Sequence, residues 1–152
     1  MNLKDFIRSI QDYPKKGILF RDITTLIKDK DAFAEAINQI VERSKKYNFN
    51  KIAAIESRGF VFASAVSYIL KKPFIMLRKK NKLPAKVHSV DFELEYGTAT
   101  IEVHKDSFEK NDNVLIIDDL IATGGTAEAA AKLIKMSDAN VAAFIFVINL
   151  FD

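Results

Sequence analysis

The sequence predicts an α/β protein: a mostly parallel sheet flanked by helices, with a β-hairpin inserted between two of the parallel strands. Three observations lead there. Short apolar runs alternate with amphipathic stretches of helical period, the pattern of βαβ units. One segment, "VHSVDFELEYGTATIEVHK", changes to period two on both sides of Gly97, which reads as an antiparallel hairpin. Finally, "VLIIDDLIATGGT" sets two carboxylates and a glycine-rich turn between an apolar strand and a helix.

In chain order, the first thirty residues, including "YPKKGILFRDIT", read as a short helix and an irregular segment. "DAFAEAINQIVERSKKY" carries Phe33, Ile37, Ile40 and Val41 at helical spacing, with Asp31 as its expected N-cap. "KIAAIES" is a buried strand, and "GFVFASAVSYILKK" a helix closed by Pro73. "PFIML" is the second parallel strand, and the hairpin follows it. "VLII" is the third, "TAEAAAKLIKM" a helix, and "NVAAFIFVINL" the fourth strand.

Composition sets the class. With 152 residues, 49% hydrophobic and 28% charged, the chain suits one sizeable core and a single domain over 1–152. Without cysteine it can form neither disulfides nor thiolate metal sites, which suits a reducing compartment. Apolar runs such as "VAAFIFVINL" are too short to span a bilayer, and the N-terminus lacks a signal-peptide core. The expectation is a cytoplasmic protein with no membrane partner. A formal charge of +3 does not argue for nucleic acid. Its distribution says more: from Lys71 to Val90 the chain has Lys71, Lys72, Arg78, Lys79, Lys80, Lys82 and Lys86 and no acid. That is either a solvated lysine surface or a rim that attracts a small polyanion.

Ligands of open parallel sheets bind where the strands end. Asp118 and Asp119 lie there, and the next helix begins close to Thr126. Free N–H groups at a helix N-terminus bind phosphate. Thr123 and Thr126 add hydroxyls, while Gly124 and Gly125 allow close backbone approach. The turn has neither the lysine of a nucleotide P-loop nor a G-x-G-x-x-G spacing. Aspartates would repel a bare phosphate, but a sugar phosphate reconciles the two: the turn holds the phosphate and the acids accept from the sugar hydroxyls.

"VLIIDDLIATGGT" resembles the phosphoribosyl diphosphate signature of the type I phosphoribosyltransferases. "YPKKGILFRDIT", "ESRGFVFASA", and "RKKNKLP" followed by "LEYG" resemble the adenine branch of that family, so the likeness runs from about Ile10 to Leu150. It implies the type I phosphoribosyltransferase fold, with residues 1–30 as a base-binding segment and 79–104 as a flexible loop and hairpin hood. The implied reaction transfers phosphoribosyl from 5-phosphoribosyl 1-diphosphate to N9 of adenine, giving AMP and diphosphate in purine salvage. Mg²⁺ is the implied cofactor, held mainly through substrate and water, with no direct protein ligand expected. A homodimer is implied as well.

Carried over residue by residue, Asp118 and Asp119 hold the ribose, and Ala122, Thr123, Gly124, Gly125 and Thr126 the 5-phosphate. Ser57, Arg58, Gly59, Arg78, Lys79, Lys82 and Tyr96 surround the diphosphate. Arg58 and Glu95 are the implied catalytic residues, Glu95 as the proton carrier for the purine. Phe20 stacks on adenine, with backbone groups of Leu19 and Arg21 at its edge and Leu150 on the far face. His88 and His104 read as structural or surface residues, "FIF" as plain core, and Glu93, Glu95 and Glu102 as one charged face. Arg58 could alternatively be a structural partner of Glu56. The sequence departs from the family pattern at Ala63 and Ala85, where glycine is common, at Asn149, where glutamate is usual, and in ending at Asp152. Two alternatives share the resemblance: an enzyme for a 6-oxopurine or xanthine, and a non-catalytic regulator that senses phosphoribosyl diphosphate.

Overall fold

Six strands form one sheet, in the spatial order Val87–Leu94, Gly97–His104, Phe74–Lys79, Lys51–Ile55, Asn113–Asp118 and Asn140–Phe146. The computed structural model describes residues 1–94, 97–120 and 124–150, the side chains of residues 149 and 150 excepted. Strands β3 (Lys51–Ile55), β4 (Phe74–Lys79), β7 (Asn113–Asp118) and β8 (Asn140–Phe146) are parallel. The hairpin β5 (Val87–Leu94) and β6 (Gly97–His104) joins them antiparallel, β6 against β4. The fold is the expected α/β arrangement with its inserted hairpin.

Both faces of β3 and β7 are covered, which is why they read as unbroken apolar runs. Because side chains alternate across a strand, Ile52, Ala54, Leu115 and Ile117 enter one core with α2 (Lys30–Ser44) and α3 (Arg58–Leu70). Ala53, Ile55, Val114 and Ile116 enter the other, against Ala129, Ala130, Leu133 and Ile134 of α4 (Gly125–Met136). Phe62 is completely buried in the first core, its ring 5.9 Å from that of Phe33.

Three expectations change. The N-terminal segment is not irregular: after a 3-10 turn at Leu3–Phe6, β1 (Arg8–Gln11) and β2 (Leu19–Asp22) pair antiparallel, followed by α1 (Thr24–Ile27). Its turn is closed by Tyr13 N–H donating to Ile18 O at 3.1 Å and Gly17 N–H donating to the Asp12 carboxylate at 2.7 Å. The N-cap of α2 is Asp29, not Asp31, because the Asp29 carboxylate accepts from Asp31 and Ala32 N–H. The last apolar run is strand only to Phe146. At Val147 the chain turns into the short helix α5 (Val147–Leu150), and Ile148 N–H donates to Asp119 O at 2.9 Å.

Candidate active site

Strand register assembles the site. Ala54 lies opposite Ile117 in the parallel pair β3–β7, so both strands leave the sheet at the same level. Asp118 is also in register with Phe146 of β8, and Ile55 with Leu77 of β4. The segments after β3, β4 and β7 therefore converge. A cavity of about 250 Å³ opens there, lined by Ser57, Arg58, Asp118, Asp119, Gly124 and Thr126 among others.

Gly59 explains itself by packing. A Cβ at this position would lie 3.0 Å from both Ile117 O and the Asp118 carboxyl, so only glycine lets α3 start this close to β7. The Glu56–Ser57 peptide just before it is cis. On the other wall Gly124 caps α4 with φ 85°, a left-handed conformation that favours glycine, and Gly124, Thr126 and Ala127 line the cavity.

The two acids differ. Asp119 is buried, 6% exposed, and its carboxylate meets Arg58 Nε at 2.9 Å. The backbone N–H of Asp119 donates to Asp118 Oδ1 at 2.8 Å. Burial, followed by the neighbouring Asp119 carboxylate, raises Asp118 to about 7, with Arg58 acting in the opposite direction. Asp118 thus ionises near neutrality beside the Arg58–Asp119 ion pair.

Arg58 is the junction. Besides Asp119, its guanidinium lies 5.5 Å from the centre of the Phe20 ring, within cation–π range. The alternative pairing of Arg58 with Glu56 does not form. Glu56 binds Arg78 instead, Nε to Oε1 at 2.8 Å, because Arg78 follows Leu77 in the strand beside it. Burial raises the Glu56 carboxyl, but hydrogen bonds from Arg78 and Lys79 N–H outweigh it and hold it below the ordinary glutamate value.

Phe20 is half-buried on β2, with Tyr13 edge-on to it at 5.1 Å. Leu19 and Arg21 alternate away from it and are exposed, and Arg21 donates to Ser9 Oγ at 2.6 Å. Asp22, on the same side as Phe20, is the buried anchor of this strand: it accepts from Thr24 N–H at 2.9 Å, Thr24 Oγ1 at 2.7 Å and Arg8 Nε at 3.0 Å. Lys79 and Lys82 line a second cavity, of about 510 Å³, beneath the hairpin. Gly125 lines neither of these two but a third, between the hairpin and α4. Glu95, Tyr96, Ala122, Thr123 and the side chain of Leu150 lie outside the described residues.

Several wall residues went unread in the sequence. Glu56, Leu120, Ala127 and Phe146 all line the first cavity. Phe146, taken with "FIF" as plain core, stacks on Phe144 at 5.9 Å and also faces the site. Its signal was the register with Asp118, which only the assembled sheet displays. Glu102 is not part of an exposed charged face but is 7% exposed. His104 Nε2 accepts from Ala85 N–H at 3.2 Å, a structural role as expected.

Residues 23–149 match the phosphoribosyl transferase domain family, and the chain belongs to that family. It is 84% identical over 152 residues to the adenine phosphoribosyltransferase of Pelagibacter ubique, covering 100% of this chain and 87% of that protein. The adenine phosphoribosyltransferase structure from Thermoanaerobacter pseudethanolicus superposes with a TM-score of 0.92 at 45% identity, covering 95% of this chain and 84% of the other. That of the Saccharomyces cerevisiae enzyme, complexed with an imino-altritol bisphosphate and adenine, gives 0.90 at 32% identity, over 95% and 84%.

Proposed function

We propose that the chain is an adenine phosphoribosyltransferase, converting adenine and 5-phosphoribosyl 1-diphosphate to AMP and diphosphate. The observation that carries this reading is the position of Arg58, 5.5 Å from the Phe20 ring centre and 2.9 Å from Asp119. One guanidinium thereby connects an aromatic face suited to a purine, the acids suited to ribose hydroxyls, and a loop suited to the leaving diphosphate. Relatives named for this activity across nearly the whole chain support it.

In this reading Asp118 and Asp119 accept hydrogen bonds from the ribose hydroxyls, and the turn from Ala122 to Thr126 holds the 5-phosphate. Ser57, Arg58 and Gly59, with Arg78, Lys79, Lys82 and Tyr96, surround the diphosphate. Arg58 turns from Asp119 to the diphosphate as negative charge grows there, and stabilises its departure electrostatically. Phe20 stacks on one face of adenine, with backbone groups of Leu19 and Arg21 at its polar edge and Leu150 on the opposite face. Glu95 takes the purine proton. The hairpin hood over residues 79–104 excludes water from an oxocarbenium-like centre.

The donor set fits Mg²⁺ carried largely by the substrate. Asp118 and Asp119 offer oxygens, but Asp119 already faces Arg58. Diphosphate, ribose hydroxyls and water would complete the coordination. When bound, the ion neutralises charge on the departing diphosphate.

The reading includes a cytoplasmic location, in keeping with the cysteine-free sequence, and a homodimer. Exposed apolar side chains on α3 and β4, Val61, Tyr68, Ile69 and Met76, support self-association; a monomeric mass in sedimentation at micromolar concentration would refute it. No observation favours a 6-oxopurine substrate or a non-catalytic regulator. Phe20→Ala tests the base site: losing base–aromatic stacking of about 1–3 kcal/mol should raise the adenine KM roughly 5- to 150-fold and spare that of the sugar substrate. An unchanged adenine KM would remove Phe20 from the reading.

A further inference from the structure

Glu102 is a carboxyl group buried where a sheet needs none. It lies at the middle of the hood, on β6, in register with Arg78 of β4 on one side and with Ser89 of β5 on the other. Arg78 is engaged with Glu56, and both Glu102 oxygens are taken by uncharged donors: Asn81 N–H at 2.9 Å and Ser89 Oγ at 2.5 Å. Burying a carboxyl is costly, and an apolar residue would fill this place with less loss.

What the group holds is informative. Asn81 is the tip of the basic loop after β4. It has φ 67°, a left-handed conformation in which asparagine is tolerated, and the turn is closed by Lys82 N–H donating to Lys79 O at 3.3 Å. Lys79, Lys80 and Lys82 line the cavity of about 510 Å³ under the hairpin. That cavity shares Ile55, Glu56 and Thr126 with the catalytic one, so the two are neighbours across a common wall. Glu56 fixes the start of the same loop through Arg78 and Lys79 N–H.

We propose that Glu102 is a positioning residue: by anchoring the Asn81 turn it holds Lys79, Lys80 and Lys82 facing the diphosphate end of the site. This inference rests on the phosphoribosyl diphosphate reading above. Glu102 touches no substrate and acts through the backbone of the loop. The lysines then attract the polyanion from a fixed arrangement instead of from freely moving side chains, so less ordering is needed on binding.

The test uses the full chain and calorimetric binding of 5-phosphoribosyl 1-diphosphate with Mg²⁺ across a range of salt concentration. Glu102→Met keeps the site filled and apolar, which protects folding, and Glu102→Gln keeps an acceptor for Asn81 N–H. Glu102→Met should weaken binding about tenfold, on the scale of one charge-assisted hydrogen bond, and should flatten its salt dependence. Glu102→Gln should restore most of both, and the adenine KM should stay within about twofold of wild type. A role in fold stability alone would lower the unfolding temperature and leave affinity and salt dependence untouched. Wild-type binding with Glu102→Met unchanged overturns the inference alone. A wild-type chain that binds no phosphoribosyl diphosphate overturns the reading beneath it as well.

Discussion

Replacing Asp22 with asparagine should remove a pH-dependent share of the stability. Asp22 anchors the strand that presents Phe20. Hydrogen bonds from Thr24, first from its hydroxyl and then from its N–H, and one from Arg8 lower its pKa from 3.8 to about 2. It is buried by area, 7% exposed, but lies shallow enough that these bonds outweigh desolvation. A downward shift of this size corresponds to about 2 kcal/mol of stability. That is an upper bound, since Arg8 is 57% exposed and its share is screened by salt. The sign follows from the depressed folded-state value. The contribution is fully present above the unfolded pKa near 4 and is lost as pH falls through about 2, with roughly half gone by pH 3. Urea unfolding of both proteins at pH 3, 4, 5 and 7, followed by circular dichroism, isolates the term as a difference. The wild-type advantage should be flat from pH 7 to 5 and shrink by pH 3, and high salt should remove only its smaller, Arg8-dependent part. A gap that stays constant to pH 3 would refute the reasoning.

Three further outcomes are expected. Gly59→Ala gains about 1 kcal/mol of helix propensity but drives a methyl against Ile117 O and the Asp118 carboxyl, costing roughly 1–3 kcal/mol, so thermal stability should fall slightly and the KM for the sugar substrate should rise; no change in either would contradict this packing account. Asp119→Asn removes the charge beside Asp118, so the Asp118 pKa should drop below about 7 in a carbon-13 carboxyl titration, and a value that rises would contradict the stated cause. Phe62→Ala should cost roughly 3–5 kcal/mol in chemical denaturation, because the ring is completely buried; a loss below about 1 kcal/mol would show that the site collapses around the smaller residue.

The parallel strands, three of the helices and the inserted hairpin were legible because each carries a local period. So was the place of the acids, since an apolar strand followed by a helix sets them at a sheet end without long-range information. The β1–β2 hairpin was not legible: "RSIQ" and "LFRD" are short and half polar, and their turn depends on Asp12 and Gly17 meeting in space. Asp29 competed with Asp31 for the same cap, and only the backbone path decides which carboxylate reaches the free N–H groups. Arg58 with Asp119, Glu56 with Arg78, and the inward turn of Glu102 all depend on register between strands distant in sequence. Phe146 had an apolar residue's signature either way, since a core wall and a pocket wall ask for the same chemistry.

The most direct measurement is diphosphate release with 5-phosphoribosyl 1-diphosphate and Mg²⁺, comparing adenine with hypoxanthine, guanine and xanthine and using Asp118→Ala/Asp119→Ala as control. Turnover is expected with adenine alone and is lost in the double variant. Turnover with a different base would contradict the assignment of Phe20 and its neighbours to adenine. Binding of the sugar substrate without turnover on any base would contradict the enzyme reading itself.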